Sequence, residues 1–512
     1  MALITGSCLT DFLLLLLLII PLMEWWQTYW NRKGLLTPRR VLFFGNGAGV
    51  ILQRESHGDA IMKLYRYFKE HNKLHGGYYW VTLPLYMPVN LEIIKCIMQN
   101  DSDHFADRGV YIDKVGDPLS GHLFSLEGEK WRKLRAKLTP TFTSGKVKMM
   151  FDTVVKCSDD LILEMDKSVE SSINIKDILA RYTTDIIGNC AFGIECNSLK
   201  NPDNEFTRYL MKFFMRGFWK NIQGFFSFIA PNMARFCGVK EVEPDISRFF
   251  LKVVQDTVEF REKNNVYRKD FMHLLLQLKN RGKLVDDEKV LDDDNIKREV
   301  TLTTNELAAQ AFVFFLGAFG TSSTTMAYCL FELASNPEIQ ERVRQEVNTV
   351  FTRYEGEFNY NGIMEMHYME RVINETLRKY PPHPGLNRIC TKDYLVPGTD
   401  IVIEKGTKVM VPILGVQRDP EYYPDPEKFD PDRFTEVNKN KRHPFTFLPF
   451  GEGPRICIGV RFGMMQTKVG LSALLQSYKF SVSSKTKLPL KLDRRSFIMT
   501  TEGGIWLDYI KV

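Results

Sequence analysis

No C-x-x-C pair occurs anywhere in this sequence. Its nine cysteines in 512 residues are an odd number at irregular spacing: Cys8, Cys96, Cys157, Cys190, Cys196, Cys237, Cys329, Cys390 and Cys457. That pattern excludes a zinc ribbon and a thioredoxin-type redox motif. It suits buried free thiols in a reducing compartment, a reading that extends to every cysteine except Cys457. Internal repeats and low-complexity linkers are also missing. So is a strong excess of one charge: 68 Lys+Arg face 62 Asp+Glu, for a net charge of +6. That is too weak and too scattered for a nucleic-acid binder, though it suits a body that meets an anionic membrane surface or an acidic partner. With 44% hydrophobic and 25% charged residues the balance is globular. This excludes a disordered chain, a collagen-like chain and a polytopic transporter. The length allows two or three average domains or one large single-core enzyme.

Long apolar runs are confined to two places. Met1–Met23 carries one charge, Asp11, and its densest part is the Leu/Ile run Phe12–Leu22, broken by Pro21. A membrane-spanning helix needs about 20 residues, so the span must take in Asp11 or Glu24. A cleavable signal peptide is the rival, but it wants a positive start and small residues at the cut. Here the start is uncharged, and the run exits into Trp25, Trp26, Tyr29 and Trp30, which resemble an interfacial belt. Arg32, Lys33, Arg39 and Arg40 follow, and the positive-inside rule puts that flank in the cytosol. The expectation is an uncleaved signal-anchor helix over 1–30 and one cytosolic domain over 31–512; a buried core helix is the alternative.

The body reads as mainly α with a smaller β region. Gly77–Leu83 (GYYWVTL) looks like strand, and from about residue 125 the pattern turns helical. The second apolar run begins at Leu302-Thr303-Thr304-Asn305-Glu306, a helix start with polar caps and an early acid, and ends at Asn336-Pro337. It is apolar all round, which predicts a helix through the core. It would also pass as a second membrane span, but Gly317, Gly320 and its many Ser/Thr favour burial in protein. The charged run Asp286–Glu299 reads as a solvated loop. Phe206–Phe236 carries Tyr209, Phe213, Phe214, Phe218, Trp219, Phe225, Phe226 and Phe228 beside Lys212, Arg216 and Lys220. That suits either a membrane-dipping element or plain core packing.

The most informative stretch is Phe450-Gly451-Glu452-Gly453-Pro454-Arg455-Ile456-Cys457-Ile458-Gly459. Three glycines and a proline hold a tight loop that can aim backbone N–H groups at a sulfur and keep it a thiolate. A thiolate is the proximal ligand with which haem iron favours O–O cleavage. Arg455 is positioned to reach a haem propionate. Helical sequence from Val460 to Leu475 follows, turning its positive end toward the sulfur.

This loop resembles the cysteine-ligand loop of the cytochrome P450 family. Other segments agree in order. Glu375-Thr376-Leu377-Arg378 resembles the family's E-x-x-R, and Arg433, in Phe429-Asp430-Pro431-Asp432-Arg433-Phe434, resembles the arginine that completes its buried triad. Trp131-Arg132-Lys133-Leu134-Arg135 resembles W-x-x-x-R, and Arg108 and Arg388 match two further propionate arginines. Gly128–Phe151 and Ala309–Phe315 resemble the insect microsomal, xenobiotic-metabolising family 6 branch. One departure stands out. Where the family's central helix carries an acid before its threonine, this chain reads Gly317-Ala318-Phe319-Gly320-Thr321-Ser322. Thr321 is retained, but Gly320 holds the acid position and Ala318 replaces a glycine.

The resemblance implies a cytochrome P450 fold and haem b, with Cys457 as iron ligand and Arg108, Trp131, Arg135, Arg388, Phe450 and Arg455 around it. It implies an endoplasmic reticulum (microsomal) monooxygenase that puts one atom of O2 into a lipophilic substrate and releases the other as water. Candidate substrates are xenobiotics, insecticides, plant toxins and endogenous hormones. The implied partners are NADPH–cytochrome P450 reductase, cytochrome b5 and a membrane, with no nucleic acid. Arg132, Lys133, Lys137, Lys146 and Lys148 could steer the acidic reductase, or form a solvated helix face. Two rival readings keep the haem: a reductase-independent isomerase or peroxide-rearranging enzyme, and a haem-binding protein without turnover.

Overall fold

The computed structural model describes residues 20–169, 171–214, 217–284 and 301–512. Most of the expected anchor, the whole Asp286–Glu299 run and Arg216 lie outside the described residues.

Helix α1 (His57–Glu70) precedes strands β1 (His75–Trp80) and β2 (Leu83–Pro88). Next come α2 (Gly128–Leu138), α3 (Phe151–Met165), β3 (Ile173–Asn174) and α4 (Ile175–Ile187). The middle of the chain is helical: α5 (Glu205–Phe214), α6 (Phe218–Ile229), α7 (Pro244–Asn264), α8 (Phe271–Arg281), α9 (Thr304–Ser335), α10 (Pro337–Arg353) and α11 (His367–Lys379). Strands β4 (Leu386–Ile389), β5 (Tyr394–Leu395), β6 (Val402–Ile403) and β7 (Lys408–Val411) lead to α12 (Val460–Ser477), and β8 (Tyr478–Val482) and β9 (Trp506–Lys511) close the chain. This is the mainly α architecture with a minor β part that the sequence predicts.

Helix α9 organises the larger core. The Thr303 hydroxyl accepts from the Glu306 N–H at 3.2 Å, and the Glu306 carboxylate accepts from the Thr303 N–H at 3.1 Å. This reciprocal cap satisfies N–H groups that the first helical turn leaves open. Pro337 opens α10 and cannot continue the α9 ladder. Over 32 residues the helix is about 48 Å long at about 1.5 Å per residue. Leu307, Phe312, Phe315, Phe319, Met326 and Leu330 are all buried, and the helix packs against α4, α7, α11 and α12. It is the one described helix long and apolar enough to cross a membrane, and that packing makes it a core element instead.

A second core lies on the four-stranded sheet, in the order β1-β2-β7-β4. Strands β1 and β2 are antiparallel, β2 runs parallel to β7, and β4 antiparallel to β7. The strand read at Gly77–Leu83 is the end of β1, a turn and the start of β2, with Trp80 paired to Leu83. Glycine matters here because side chains lie flat on the backbone. A Cβ on Gly77 would meet Trp30 Cγ at 2.2 Å, and one on Gly76 would meet Phe68 Cε1 at 2.0 Å. Trp30 is therefore fully buried, its backbone N–H donating to the Tyr79 hydroxyl at 2.8 Å. Trp25 and Trp26 remain exposed, so the packed body begins a few residues before position 31. A three-stranded sheet, β3-β9-β8, and the pair β5-β6 complete the β part.

Part of the aromatic segment packs into the core and part lies at the surface. Phe213 sits 5.7 Å from Phe312, and Phe214 stacks on Phe319 at 5.6 Å, so α5 packs onto α9. Trp219, Met233 and Phe236 face outward, the last 91% exposed. The side chains of Phe218 and Phe225 lie outside the described set. The cysteine reading needs one correction. Cys157, Cys190, Cys196, Cys329 and Cys390 are buried free thiols, but Cys237 is exposed and Cys96 half-buried. Cys237 follows the short helix Pro231–Phe236, which lies on the outer surface.

Candidate active site

The loop before α12 owes its shape to glycine. Gly451 and Gly453 both have φ of +72°. A Cβ at Gly453 would lie 1.8 Å from the Met98 carbonyl oxygen, so no other residue fits there. Gly453–Arg455 makes one 3-10 turn, and the Cys457 N–H donates to the Phe450 carbonyl at 2.9 Å, closing the loop. Helix α12 starts three residues later, with its N-terminal end beside the sulfur. The Cys457 side chain is exposed and lines a cavity of about 280 Å³. Burial on its other sides pushes the thiol up, while the Gly459 N–H, Arg135 and Arg108 pull it down.

Across the cavity stand Gly317, Ala318 and Thr321 of α9, with Phe124, Phe142, Phe314, Phe450 and Phe462 among the apolar walls. Arg108, Arg135, Arg388 and Arg455 reach the same space. Arg108 donates to the carbonyls of Phe124 at 3.0 Å and Arg455 at 3.2 Å, and stacks 4.1 Å from the Phe124 ring. Arg135 donates to the Ile456 carbonyl at 3.0 Å. Arg388, on β4, is 3% exposed and donates to the adjacent Asn387 carbonyl at 2.9 Å. Arg455 is differently placed. It ion-pairs with Asp107 at 3.2 Å, donates to the Ala106 and Leu126 carbonyls, and lies 3.7 Å over the Trp131 ring.

Among the described residues no carboxylate lies within ion-pair distance of Arg108, Arg135 or Arg388, and none lines the cavity. Burial first, then the Arg388 and Arg455 charges, hold Arg108 well below the usual arginine range. Burial lowers Arg388 to about 10 and Arg455 to about 9, the latter opposed by Asp107. A guanidinium does not give up its proton at ordinary pH, so these directions mark a site that calls for anionic groups.

A family model described as Cytochrome P450 matches residues 37–507. The chain belongs to the cytochrome P450 family. It is 42% identical over 492 residues to the Drosophila melanogaster protein named "Probable cytochrome P450 6a14", covering 95% of this chain and 96% of that one. It is 41% identical to cytochrome P450 6A1 of Musca domestica, covering 96% and 95% of the two chains. With cytochrome P450 6k1 of Blattella germanica it shares 38% identity over 100% and 99%. It is therefore a haem monooxygenase with a cysteine-thiolate ligand to iron, a redox partner and a lipophilic substrate.

The cavity fits that P450 cofactor. A soft sulfur ligand, aromatic walls and three acid-free guanidiniums are the donor set for an apolar macrocycle that carries iron and two carboxylates. Away from the cavity, Glu375 and Arg378 of α11 are 0% exposed and joined at two points, Nε to Oε2 at 2.7 Å and Nη2 to Oε1 at 2.8 Å. Arg433 Nε lies 3.5 Å from Glu375 Oε1, a charge contact rather than a hydrogen bond, and its Nη2 donates to the Asp425 carbonyl at 3.0 Å. All three residues of the sequence triad meet.

The two candidates on α9 separate. Thr321 lines the cavity, its hydroxyl donating to the Gly317 carbonyl at 2.5 Å. Gly320 is buried beside Phe214 and Ile498 and does not line the cavity; a Cβ there would meet Ile498 Cδ1 at 2.6 Å. The sequence reading missed Asp107, the partner of Arg455, although it directly precedes Arg108 in Phe105-Ala106-Asp107-Arg108. It also passed over His383, whose imidazole lines the cavity and which burial lowers to about 4.

Proposed function

We propose that this P450 is an endoplasmic reticulum monooxygenase with its catalytic domain in the cytosol, taking electrons from NADPH–cytochrome P450 reductase, with cytochrome b5 as a second donor. The observation that carries this reading is Cys457 facing a cavity ringed by Arg108, Arg135 and Arg388, none of which has an acidic partner among the described residues. In this reading Cys457 would bind the haem iron, and the three arginines, with Trp131 and Arg455, would hold the propionates. Arg455 acts chiefly by fixing its loop to Asp107 and the Leu126 carbonyl.

Bound haem supplies activation of O2 and insertion of one oxygen atom into the substrate. The chain's part is ligation, orientation, exclusion of bulk water and proton handling. Phe124, Phe142 and Phe314 make an apolar surface suited to lipophilic xenobiotics, insecticides, plant toxins or hormones. Thr321 Oγ1 holds a proton at the cavity wall, on Gly317 O, and can pass it to water. With glycine at 320 and no carboxylate on the cavity wall, that proton comes from water.

The reductase is assigned to the α2 face. Arg132 and Lys133 are exposed there, paired with Asp103 at 2.6 Å and Glu129 at 3.7 Å, and Lys148 lies nearby at the surface. Such exposed pairs are weak and exchange readily for a partner's acids. Support for the membrane assignment comes from exposed Leu22, Trp25 and Trp26 next to the expected anchor, and from Trp219, Met233 and Phe236.

The test is reconstitution of the purified full chain with reductase and NADPH on a panel of lipophilic compounds. A thiolate-type absorption band of the reduced, CO-bound protein and product that requires both reductase and NADPH are expected. Product formed from peroxides without reductase would point to the rearranging enzyme, and a normal band without any turnover to a haem-binding protein.

A further inference from the structure

A second cavity, of about 390 Å³, lies outside the site described above. Its floor is Met62, Leu414 and the Tyr328 and Tyr380 rings, which stack at 4.2 Å and 4°. Its polar wall carries Arg54, Arg66, Lys491 and Arg494. None of these four has an ion pair or a side-chain hydrogen bond among the described residues, although Glu55, Asp59 and Glu502 line the same cavity. Asp59 is held locally by the Ser56 hydroxyl at 2.8 Å, and Glu55 lies over Gly49. Arg418 also reaches the cavity, bound to the Lys379 carbonyl and 3.4 Å from Glu427. Five cationic side chains against three acidic ones leave an excess of two positive charges.

A second, independent observation comes from Tyr328. It belongs to α9 and is 1% exposed, yet its hydroxyl has no hydrogen-bond partner among the described residues. A buried unpaired hydroxyl is costly, and this one sits on the cavity lining. Its stacking partner Tyr380 donates to Glu332 Oε1 at 2.6 Å, so the two tyrosines are not equivalent. A tetrahedral oxyanion would satisfy both features: several acceptor oxygens for free guanidinium and ammonium groups, and one to take the Tyr328 proton.

We propose that this cavity is a phosphate-binding site, for a free phosphate ester or for the phosphate of an anionic lipid headgroup. It is independent of the haem reading, because none of its residues touches the Cys457 cavity.

The probe is inorganic phosphate, titrated calorimetrically into the full-length haem-loaded protein at constant ionic strength, with chloride as the control. Saturable binding to the parent is expected. Arg66→Gln/Arg494→Gln should weaken it about a hundredfold, about tenfold for each charge-assisted hydrogen bond removed, and Tyr328→Phe about fivefold. Both variants should keep the thiolate-type CO band, which reports an intact fold. If the double variant does not fold, Tyr328→Phe decides. Preloading with phosphatidylcholine vesicles that contain phosphatidic acid separates the two sources. Loss of the phosphate isotherm assigns the cavity to a lipid headgroup, and an unchanged isotherm to a soluble anion. The proposal is overturned if phosphate heats do not saturate in the parent, if chloride reproduces them, or if the folded variants bind phosphate as the parent does.

Discussion

Glu375 and Arg378 stand three residues apart on α11, with neither side chain exposed and two hydrogen bonds of 2.7 and 2.8 Å between them. Arg378 also donates to the Gln417 and Pro426 carbonyls, so it ties the helix to the segment that leads into the Cys457 loop. Removing the acid strands a buried guanidinium. Glu375→Ala should cost about 3–5 kcal/mol, read as a lower urea midpoint and a smaller haem-loaded fraction. A midpoint equal to the parent's would mean that the pair does not hold the fold.

Arg108 lies among like charges and has no acidic partner of its own among the described residues. Arg108→Ala should therefore stabilise the haem-free protein, or leave it unchanged, while speeding loss of haem to an excess of a competing haem acceptor by about tenfold. Thermal unfolding of the haem-free form and the haem-transfer rate, measured together, separate the two effects. Faster transfer with a destabilised haem-free form would indicate a merely structural arginine.

Gly320 bears on coupling. With water as the proton source at Thr321, more NADPH should be consumed than product formed, and the balance released as hydrogen peroxide. Gly320→Glu should raise product per NADPH, and Thr321→Ala should lower it. A Cβ at 320 would meet Ile498 Cδ1 at 2.6 Å, the tip of a side chain that can turn aside. Gly320→Glu/Ile498→Val relieves that clash and should couple at least as well as the single variant. Unchanged NADPH, peroxide and product ratios in every variant would leave Gly320 with a packing role alone.

Asp117 is 1% exposed, and burial raises it to about 6 from 3.8. One of its oxygens accepts from the Val242 N–H at 2.9 Å and the other has no partner among the described residues. The unfolded chain loses this proton near pH 4, the folded one near pH 6. Between those values the folded state binds more protons, so stability falls as pH rises. A gap of roughly two units sets an upper limit of about 3 kcal/mol. Asp117→Asn cannot ionise, so its melting temperature relative to the parent should climb from pH 4 to pH 7. A difference independent of pH would show that the carboxyl does not titrate in this window.

What was legible in the sequence was local. The Cys457 loop, the Glu375/Arg378 spacing and the Thr303–Glu306 cap each lie within a few residues, where chain geometry dictates the interaction. What was not legible depends on distant segments. Asp107 and Arg455 meet across 348 residues, and β2 pairs with β7 in parallel, Leu85 against Lys408. Trp30 reads as part of a membrane belt because its burial needs Gly77 beneath it. Gly320 reads as a cavity residue because nothing nearby in sequence reveals Ile498 beside it. Cys237 reads as buried because cysteine usually is, whereas the surface helix before it leaves it outside.

In the proposed reading Cys457 is the sulfur that binds the haem iron, although Met150, Cys190 and Met464 line the same cavity. The direct measurement is the absorption spectrum of the reduced, CO-bound protein for Cys457→Ala beside Cys390→Ala, a buried thiol that donates to the Lys392 carbonyl at 2.8 Å. The thiolate-type band and all monooxygenase product should vanish in Cys457→Ala and persist in Cys390→Ala. A thiolate-type band retained by Cys457→Ala would contradict that reading.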